Sequence, residues 1–237
     1  MSNPRDRSTF ETAYASKAPW DIGKPQGAIA ESVDLVISPV LDAGCGTGEN
    51  ALFLAASGHQ VTGIDFVDEA IGMARRKAAE PGLTVEFQVK DAMTLEDWDK
   101  RFATVIDSGL FHVFSDEDRV RYVTGLTHVT EPGGRLLLLC FSDEEPGTQG
   151  PRRVSQREIR AAFDDAWTVE EIRAGHADVR PRLGGSFILR WRAEGLVRDH
   201  SPEQLKYTPT RHDAKRERRA GDLKTHRRPD GQLQPRG

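Results

Sequence analysis

The stretch with the clearest chemistry is LDAGCGTGEN, residues 41–50, which places an acid and three glycines directly after a short apolar run. Gly44, Gly46 and Gly48 can take backbone angles that are closed to other residues, and the segment after them is rich in helix formers. A strand, a glycine turn and a helix in this order typically hold a nucleotide-type cofactor against the backbone. A tight turn without any ligand is the alternative.

The spacing within this turn indicates which kind of cofactor it suits. The glycines follow G-x-G-x-G, and Glu49 stands where the dinucleotide fingerprint requires its last glycine. This favours a ligand without a pyrophosphate. Asp42 and Ala43 lie just before the turn, where a carboxylate can accept hydrogen bonds from an ammonium group but would repel a phosphate. A nicotinamide-dependent oxidoreductase is therefore the disfavoured rival.

A second acid follows the next strand-like segment, QVTGIDF, residues 60–66. Asp65, with Phe66 beside it, lies 23 residues after Asp42. This is close to the interval of about 20 at which an acid reaches the ribose hydroxyls in nucleotide-binding βαβ units. We therefore predict that Asp65 binds ribose. The alternative is a cap for the following helix, but Asp68 is better placed for that role.

A third acid comes after the strand-like LTVEFQVK. Asp91 and Ala92 are placed there to meet the amino group of an adenine ring. A loop acid or a helix cap is the alternative interpretation of Asp91. Three acids after three successive strands thus predict three contacts to one nucleoside cofactor.

The best acid–base candidate is His112, which follows the fourth strand in SGLFH. A histidine packed in the loop is the equal alternative. Asp107, at the end of the same strand, would bind the amino acid portion of the cofactor, position His112, or act only as a cap. Phe111 and Phe114 would either wall an aromatic substrate pocket or belong to the core.

Taken together, the motif series resembles that of class I S-adenosylmethionine-dependent methyltransferases, over most of residues 20–195. APWDIGKPQ, residues 18–26, is similar to the N-terminal segment of the thiopurine S-methyltransferase-like and thiol or halide methyltransferases, and of bacterial relatives that methylate heterocyclic small molecules. DSGLFHVFSDEDRVRYV, residues 107–123, and PRRVSQREIRAAF, residues 151–163, look most like those bacterial relatives.

The resemblance implies S-adenosyl-L-methionine as cofactor and a small-molecule acceptor methylated at oxygen, nitrogen or sulfur. A thiol or halide acceptor and a non-catalytic cofactor-binding module are the alternatives. The segment 1–26 would form a lid, with the Trp20 indole against the cofactor or a flat substrate. The resemblance implies a ligand contact for Gln26 as well, but supports it more weakly. Arg152 or Arg153 would bind an anionic substrate group, or both would be solvated. The expected cofactor-binding residues are Trp20, Asp42, Ala43, Gly44, Gly46, Gly48, Asp65, Phe66, Asp91, Ala92 and Asp107; no metal is expected.

The elements that must position these residues alternate between strand and helix. This rhythm predicts an α/β, Rossmann-like, doubly wound sheet of seven strands that is mostly parallel and covered by helices on both faces. No helix separates the last two strands, 168–172 and 187–192, which are therefore expected to form an antiparallel hairpin at one edge. A helix is expected over 27–36. Ligands bind such sheets at the carboxyl ends of the strands.

Composition agrees with one domain, residues 27–198, between the lid segment and a tail. Residues 201–237 carry ten basic and five acidic side chains, whereas the rest of the chain has 23 basic and 32 acidic ones. We expect a disordered basic tail over 199–237 and an acidic body that does not bind nucleic acid. The chain lacks an apolar run long enough for a membrane and an apolar leader, which predicts a cytoplasmic protein. The two cysteines are expected to be reduced and structural; the oligomeric state is left open.

Overall fold

The computed structural model describes residues 6–16, 18–80, 82–145, 150–163, 166–175 and 178, and the backbone of 186–193. The chain divides into two units, 1–196 and 197–237. The second unit, and with it the predicted disordered tail, lies outside the described residues. Within the described part of the chain, no helix is long and apolar enough to cross a membrane.

Helices and strands alternate along the first unit. The helices are α1 (Arg7–Ala15), α2 (Gly27–Ala30), α3 (Glu49–Ala56), α4 (Asp68–Ala79), α5 (Asp116–Val129) and α6 (Gln156–Ala162). The strands are β1 (Val40–Ala43), β2 (Val61–Asp65), β3 (Val85–Val89), β4 (Phe102–Ser108), β5 (Thr130–Phe141), β6 (Trp167–Gly175) and β7 (Ser186–Ala193). Short 3₁₀ helices cover Val33–Leu35, Ala92–Asp97 and Phe111–Val113.

The strands form one seven-stranded sheet in the order β3-β2-β1-β4-β5-β7-β6. The first five strands are parallel, and β7 runs antiparallel to both β5 and β6. The predicted Rossmann-like, mostly parallel fold with an antiparallel edge pair is confirmed. The order reverses between β1 and β4, so the ligand crevice of such a sheet is expected at their carboxyl ends.

Burial follows the layered arrangement. All four residues of β1 are buried, as expected for a central strand with helices on both faces. Neighbouring strand residues contribute to different clusters: Leu41 and Val105 pack in one, and Val40 and Ile106 in the other. Because side chains alternate along a strand, these clusters are the cores of the two faces of the sheet. The central strands are thus covered by apolar side chains on both faces of the sheet.

Three elements differ from the sequence-based expectation. The predicted helix over 27–36 breaks after α2, where the Ser32 hydroxyl donates to the Ala28 carbonyl oxygen and β-branched Val33 and Val36 follow. The segment expected only as a lid contains helix α1, which Asp6 caps by accepting the Ser8 amide. Strand β5 begins at Thr130 and not near residue 135.

Candidate active site

The predicted acids converge at one edge of the sheet. In β1, Ala43 lies in register with Ile64 of β2 and with Asp107 of β4. The acids Asp42, Asp65 and Asp107 therefore stand at the carboxyl ends of three neighbouring strands, and all three are buried. Among the described residues, no Lys, Arg or His side chain forms an ion pair with Asp42 or with Asp107.

Asp42 is the acid of the three whose carboxylate keeps one oxygen without a hydrogen-bond partner. Burial raises the pKa of its carboxyl to about 7, an amide hydrogen bond from Ala51 opposes the shift, and the charges of Asp107 and Asp65 add to it. Its buried Oδ2 has no hydrogen-bond partner. A buried carboxylate oxygen without a partner is costly, so a cationic group that reaches it would be held strongly. This fits an ammonium group, as the sequence predicts.

The packing of neighbouring side chains requires glycine at all three positions of the turn. Its three glycines have positive φ angles of 70°, 55° and 89° along the chain, as the sequence predicts. A Cβ added at each would lie 3.1 Å from Leu110, 2.8 Å from the Tyr14 hydroxyl and 2.8 Å from Phe87, respectively. Protein side chains thus fill the space in the direction of each missing Cβ, and contact between the backbone of the turn and the cofactor stays a prediction.

Asp65 holds the glycine turn in place. One of its oxygens accepts the Gly46 amide at 3.0 Å, and the other accepts the Val67 amide at 2.9 Å. Burial raises the pKa of its carboxyl. Each oxygen retains a second acceptor site that a ribose hydroxyl can use. The expectation that Asp68 caps the next helix is wrong: α4 begins at Asp68, and Val67 precedes it without a side-chain cap.

Asp91 carries out the alternative role that the sequence allowed. Its Oδ1 accepts the Met93 amide at 2.9 Å, and it caps the 3₁₀ helix that starts at Ala92, which is buried. Its contact with adenine stays a prediction.

The N-terminal segment brings an aromatic cluster to the glycine turn. The Tyr14 and Trp20 rings meet edge to face with centroids 6.0 Å apart, and the Trp20 indole N–H donates to the Tyr14 hydroxyl at 3.3 Å. Phe10 packs on Phe66 at 5.5 Å. Trp20 keeps 40% of its surface exposed, which leaves one side of the indole open to a ligand. The predicted contact of Trp20 and Phe66 with the cofactor is compatible with this geometry and stays a prediction.

Gln26 has a structural role. Its amide group donates to the backbone carbonyl oxygen of Asp178 at 2.9 Å and accepts the Asp178 amide at 2.7 Å. Its own backbone amide donates to the Asn50 side chain. Both polar atoms of the Gln26 side chain are thus engaged by the protein, which does not support the weaker prediction that it contacts a ligand.

Asp107 shapes the loop after β4. Its Oδ1 accepts the amides of Leu110 and Phe111 at 2.8 and 3.2 Å, and its Oδ2 accepts the Tyr122 hydroxyl at 2.9 Å. Burial raises the pKa of its carboxyl to about 6 against these hydrogen bonds. Of the roles considered for Asp107, this geometry favours positioning of the loop that carries His112 over a direct contact with the cofactor.

His112 is buried at the carboxyl ends of β4 and β5. Its Nδ1 accepts the backbone amide of Phe141 at 3.1 Å, and the two rings lie 5.2 Å apart. Burial, followed by the charges of Arg119 and Arg153, lowers the pKa of the imidazole to about 3. The ring is therefore neutral at physiological pH. The loop that carries His112 lies beside the glycine turn, because Leu110 of this loop packs against Gly44.

The other residues considered for acceptor binding have different surroundings in the structure. Phe111 and Phe114 are almost fully buried in the main core cluster, which supports the core alternative for both residues. Arg152 is ion-paired with Asp116 at 2.7 Å and Glu158 at 2.5 Å. Arg153 instead lies over the Phe141 ring at 5.8 Å. The loop between β5 and Arg152 is described only in part, because residues 146–149 lie outside the described residues.

Sequence reasoning missed several buried polar residues near the site. Arg119 is 3% exposed, lies 4.7 Å over the Phe111 ring and has an Nη2 without a hydrogen-bond partner. Glu145, in the loop after β5, is buried with neither carboxylate oxygen bonded. Both residues lie in polar segments of the sequence that are typical of solvent-exposed surface. Their spacing does not distinguish them from the exposed charged residues around them. Tyr122 is a further buried residue of this kind, and its hydroxyl donates to Asp107 on the preceding strand.

Known proteins resemble this chain in sequence and in fold. A family model of the methyltransferase domain matches residues 40–134. The 2-heptyl-1-hydroxyquinolin-4(1H)-one methyltransferase of Mycobacteroides abscessus is 39% identical over 176 residues, 69% of this chain and 78% of that protein. A probable thiol methyltransferase 2 of Arabidopsis thaliana is 29% identical over 188 residues, 75% of this chain and 81% of that protein.

A solved structure from work on the conversion of a disulfide bond into a thioacetal group during echinomycin biosynthesis is 32% identical to this chain. It superimposes with a TM-score of 0.71 and covers 92% of this chain and 99% of its own. Fold, motifs and relatives agree, and the chain belongs to the class I S-adenosylmethionine-dependent methyltransferases. It is an enzyme whose cofactor is S-adenosyl-L-methionine. The nicotinamide-dependent and non-catalytic alternatives are thereby set aside.

Proposed function

We propose that this enzyme methylates a small hydroxylated heteroaromatic or phenolic molecule at oxygen or nitrogen. The observation that carries the proposal is the buried, neutral His112 against Phe141, one loop away from the glycine turn. A polar group on an aromatic wall suits a flat acceptor that has one polar substituent. The relative from Mycobacteroides abscessus, whose name gives a hydroxyquinolinone as substrate, supports the same class.

The cofactor would lie across the carboxyl ends of β1 and β2. Its ammonium group would meet the unpartnered Oδ2 of Asp42, and its ribose the remaining acceptor sites of Asp65. Adenine would lie beside Asp91 and Ala92, and the Trp20 and Phe66 rings would cover it from the N-terminal side. The backbone of Ala43 and of the three glycines would line the floor.

The cofactor supplies a methyl group on a positively charged sulfur, which is reactive enough to be displaced without a metal or a covalent enzyme intermediate. The protein must hold the acceptor in line with that methyl group and keep water out. Asp107 fixes the loop carrying His112, and α1 packs its aromatic residues over the glycine turn. Positioning and desolvation are therefore the main contributions of this chain.

A thiol acceptor is the second candidate. It is supported by the similarity of residues 18–26 to the thiol methyltransferase group and by the probable thiol methyltransferase from Arabidopsis thaliana. A flat heteroaromatic acceptor can use both the Phe141 ring and the His112 side chain, whereas an aliphatic thiol has no ring to stack, so these two residues favour the heteroaromatic acceptor. The cytoplasmic location and the absence of nucleic-acid and membrane partners stay predictions from the sequence.

The test combines binding with product detection. The full-length protein would be titrated by calorimetry with S-adenosylmethionine, S-adenosylhomocysteine and NAD. It would then be incubated with S-adenosylmethionine and panels of hydroxylated heteroaromatics, phenols and thiols, and the products weighed by mass spectrometry. A gain of one methyl group on a hydroxylated heteroaromatic supports the proposal. Methylation of thiols alone would replace it by the second candidate.

A further inference from the structure

The hydrogen bond at His112 fixes the tautomer of its ring. The Phe141 amide donates to Nδ1, so Nδ1 must present a lone pair, and in the neutral ring the hydrogen then resides on Nε2. A base acting through Nε2 would need the other tautomer, whose Nδ1–H would point at the Phe141 N–H. Within the described part of the chain, Nε2 has no hydrogen-bond partner. His112 therefore offers a free N–H donor, and the sequence-based role of general base does not fit.

Charged side chains of both signs lie in this region, and the two cations among them act on the imidazole of His112. Arg119, on α5, lies 3.6 Å from Asp116 and 3.9 Å from Glu158, and Arg153 lies in the loop before α6. Glu145, in the loop after β5, is buried with neither carboxylate oxygen hydrogen-bonded. The acid on the β4 side is Asp107, but three protein donors already occupy its carboxylate. On the α6 side, Glu158 accepts from Ser155 and from Arg152. What His112 offers a ligand is therefore a neutral N–H donor on a ring that two arginines influence, and such a donor is suited to an anionic oxygen.

We infer that the acceptor binds as its oxyanion, with the ionised oxygen held by Nε2–H of His112 in the field of Arg119 and Arg153. This rests on the proposed function and specifies the ionisation state of its substrate. An acidic hydroxyl, such as that of an N-hydroxyquinolone or an electron-poor phenol, fits this site. A neutral amine or an aliphatic alcohol does not.

The transfer then needs no base on the enzyme. The acceptor oxygen uses a lone pair to form the O–CH₃ bond while the S–CH₃ bond breaks and its electron pair passes to sulfur. The oxyanion and the sulfonium are consumed together, giving a neutral methyl ether and a neutral thioether. The acceptor proton has already left to solvent, so no proton has to be removed within the closed site.

The test is spectroscopic and needs no turnover. The full-length protein, saturated with the unreactive product S-adenosylhomocysteine, would be mixed with 2-heptyl-1-hydroxyquinolin-4(1H)-one. The absorption spectrum of the bound acceptor would then be recorded between pH 5 and 9, beside the free acceptor in the same buffers. We expect the bound compound to retain the spectrum of its anion at least one pH unit below the transition of the free compound. Such a shift means that the anion binds about tenfold or more tightly than the neutral form.

Two substitutions at His112 separate a donor from a base and from a purely structural role. In the His112→Asn variant, the side-chain oxygen of Asn can replace Nδ1 as the acceptor of the Phe141 amide, but no donor replaces Nε2. In the His112→Gln variant, the longer side chain can place an N–H donor where Nε2 was. We expect H112N to lose the spectral shift and about tenfold or more in kcat/KM, as for a hydrogen bond to a charged group, and H112Q to lose much less of both.

Each other result contradicts the inference in a distinct way. A neutral bound spectrum below the free transition, together with normal methylation, overturns the inference and leaves the proposed function intact. Equal loss of activity in H112N and H112Q, with a pH midpoint that is the same for acceptors of different acidity, would restore the general base. Activity and spectrum retained in H112N would make His112 structural. If S-adenosylmethionine methylates no hydroxylated heteroaromatic, the proposed function fails and the inference falls with it.

Discussion

The two halves of the proposed site contain charged side chains of opposite sign, although one sheet edge supports both. The donor half, at the ends of β1 and β2, contains the buried acids Asp42 and Asp65 beside the glycine turn. The acceptor half, beyond the ends of β4 and β5, contains the neutral His112 with Arg119 and Arg153 around it. The acids of the donor half would hold the cofactor through its ammonium group and ribose, and the acceptor half would hold an anionic acceptor. Because the charges of the sulfonium and the acceptor cancel as the products form, the neutral methylated product should bind the acceptor half less tightly than the anionic acceptor does.

The largest effect is expected from the donor half. Asp65→Ala removes the predicted ribose contacts and also the acceptor for the Gly46 and Val67 amides, so affinity for S-adenosylhomocysteine should fall by about 100-fold or more. Calorimetric titration measures it. Asp68→Ala is the control, because this exposed acid only pairs with Arg7 on the surface. Unchanged binding by D65A would refute the ribose assignment.

The next effect is a pH dependence of cofactor binding that originates at Asp42. The pKa of its carboxyl is raised to about 7 in the ligand-free protein, and a bound ammonium group would lower it. The ligand then selects the ionised form, so affinity should rise with pH by up to about tenfold per unit below pH 7 and level off above it. Calorimetry at pH 6, in buffers of different ionisation enthalpy, should detect proton release on binding.

Asp42→Asn tests the origin of this effect. The variant should bind S-adenosylhomocysteine about tenfold more weakly at pH 8 and show no pH dependence between 6 and 8. If the wild-type protein binds equally at pH 6 and 8 and releases no proton, the ammonium group is not held by Asp42.

A smaller effect is expected in the acceptor half. Arg153→Gln removes a cation that acts on His112 and should raise KM for an acidic acceptor about fivefold, without changing cofactor affinity. Arg152→Gln removes the same charge one residue away, where Asp116 and Glu158 already neutralise it, and should leave KM nearly unchanged. Equal effects of the two substitutions would mean that net charge, and not the position of Arg153, matters.

The smallest effect concerns a contact between the N-terminal segment and the donor half. Lys77 Nζ lies 2.6 Å from Glu49, 2.7 Å from Thr47 and 4.0 Å from Asp21, but it is partly exposed. Lys77→Met should lower the free energy of unfolding by about 0.5 kcal/mol and weaken S-adenosylhomocysteine binding about twofold.

Lys100→Met is the matched control for this last variant, because Lys100 pairs with Glu86 at a similarly exposed position away from the glycine turn. Chemical denaturation should give the same small loss of stability in both variants. Weaker ligand binding should occur in K77M alone, and an equal loss in K100M would remove the special role of the Lys77 contact.

The sequence predicted the donor half better than the acceptor half, for a physical reason. Asp42, the glycine turn and Asp65 lie at strand ends, and strand ends are visible as the points where apolar runs stop. Parallel pairing then brings those points to one edge without further information. The backbone angles of the turn followed from residue type alone. The broken helix after Ala30 was not visible, because it depends on a hydrogen bond of the Ser32 side chain.

The acceptor half depends on contacts between distant residues. The tautomer of His112 is set by an amide 29 residues later, at Phe141. Arg152 pairs with Asp116 and Glu158 while Arg153 lies over the Phe141 ring, and the spacing of the residues cannot show this. Phe111 and Phe114 were ambiguous for the same reason: aromatic residues near a site look alike whether they face the ligand or the core.

The position of β7 between β5 and β6 has a consequence for the order in which the protein is made. Every strand of the donor half is complete once residue 89 has been synthesised, and the parallel part of the sheet once residue 141 has. The outer edge of β5, however, pairs along Arg135–Phe141 with a strand that ends only at Ala193. Until then a long apolar edge is unpaired, which is a hazard for association with other chains. A nascent chain that stalls before β7 would therefore be a target for chaperones even though its nucleoside-binding region could already be folded.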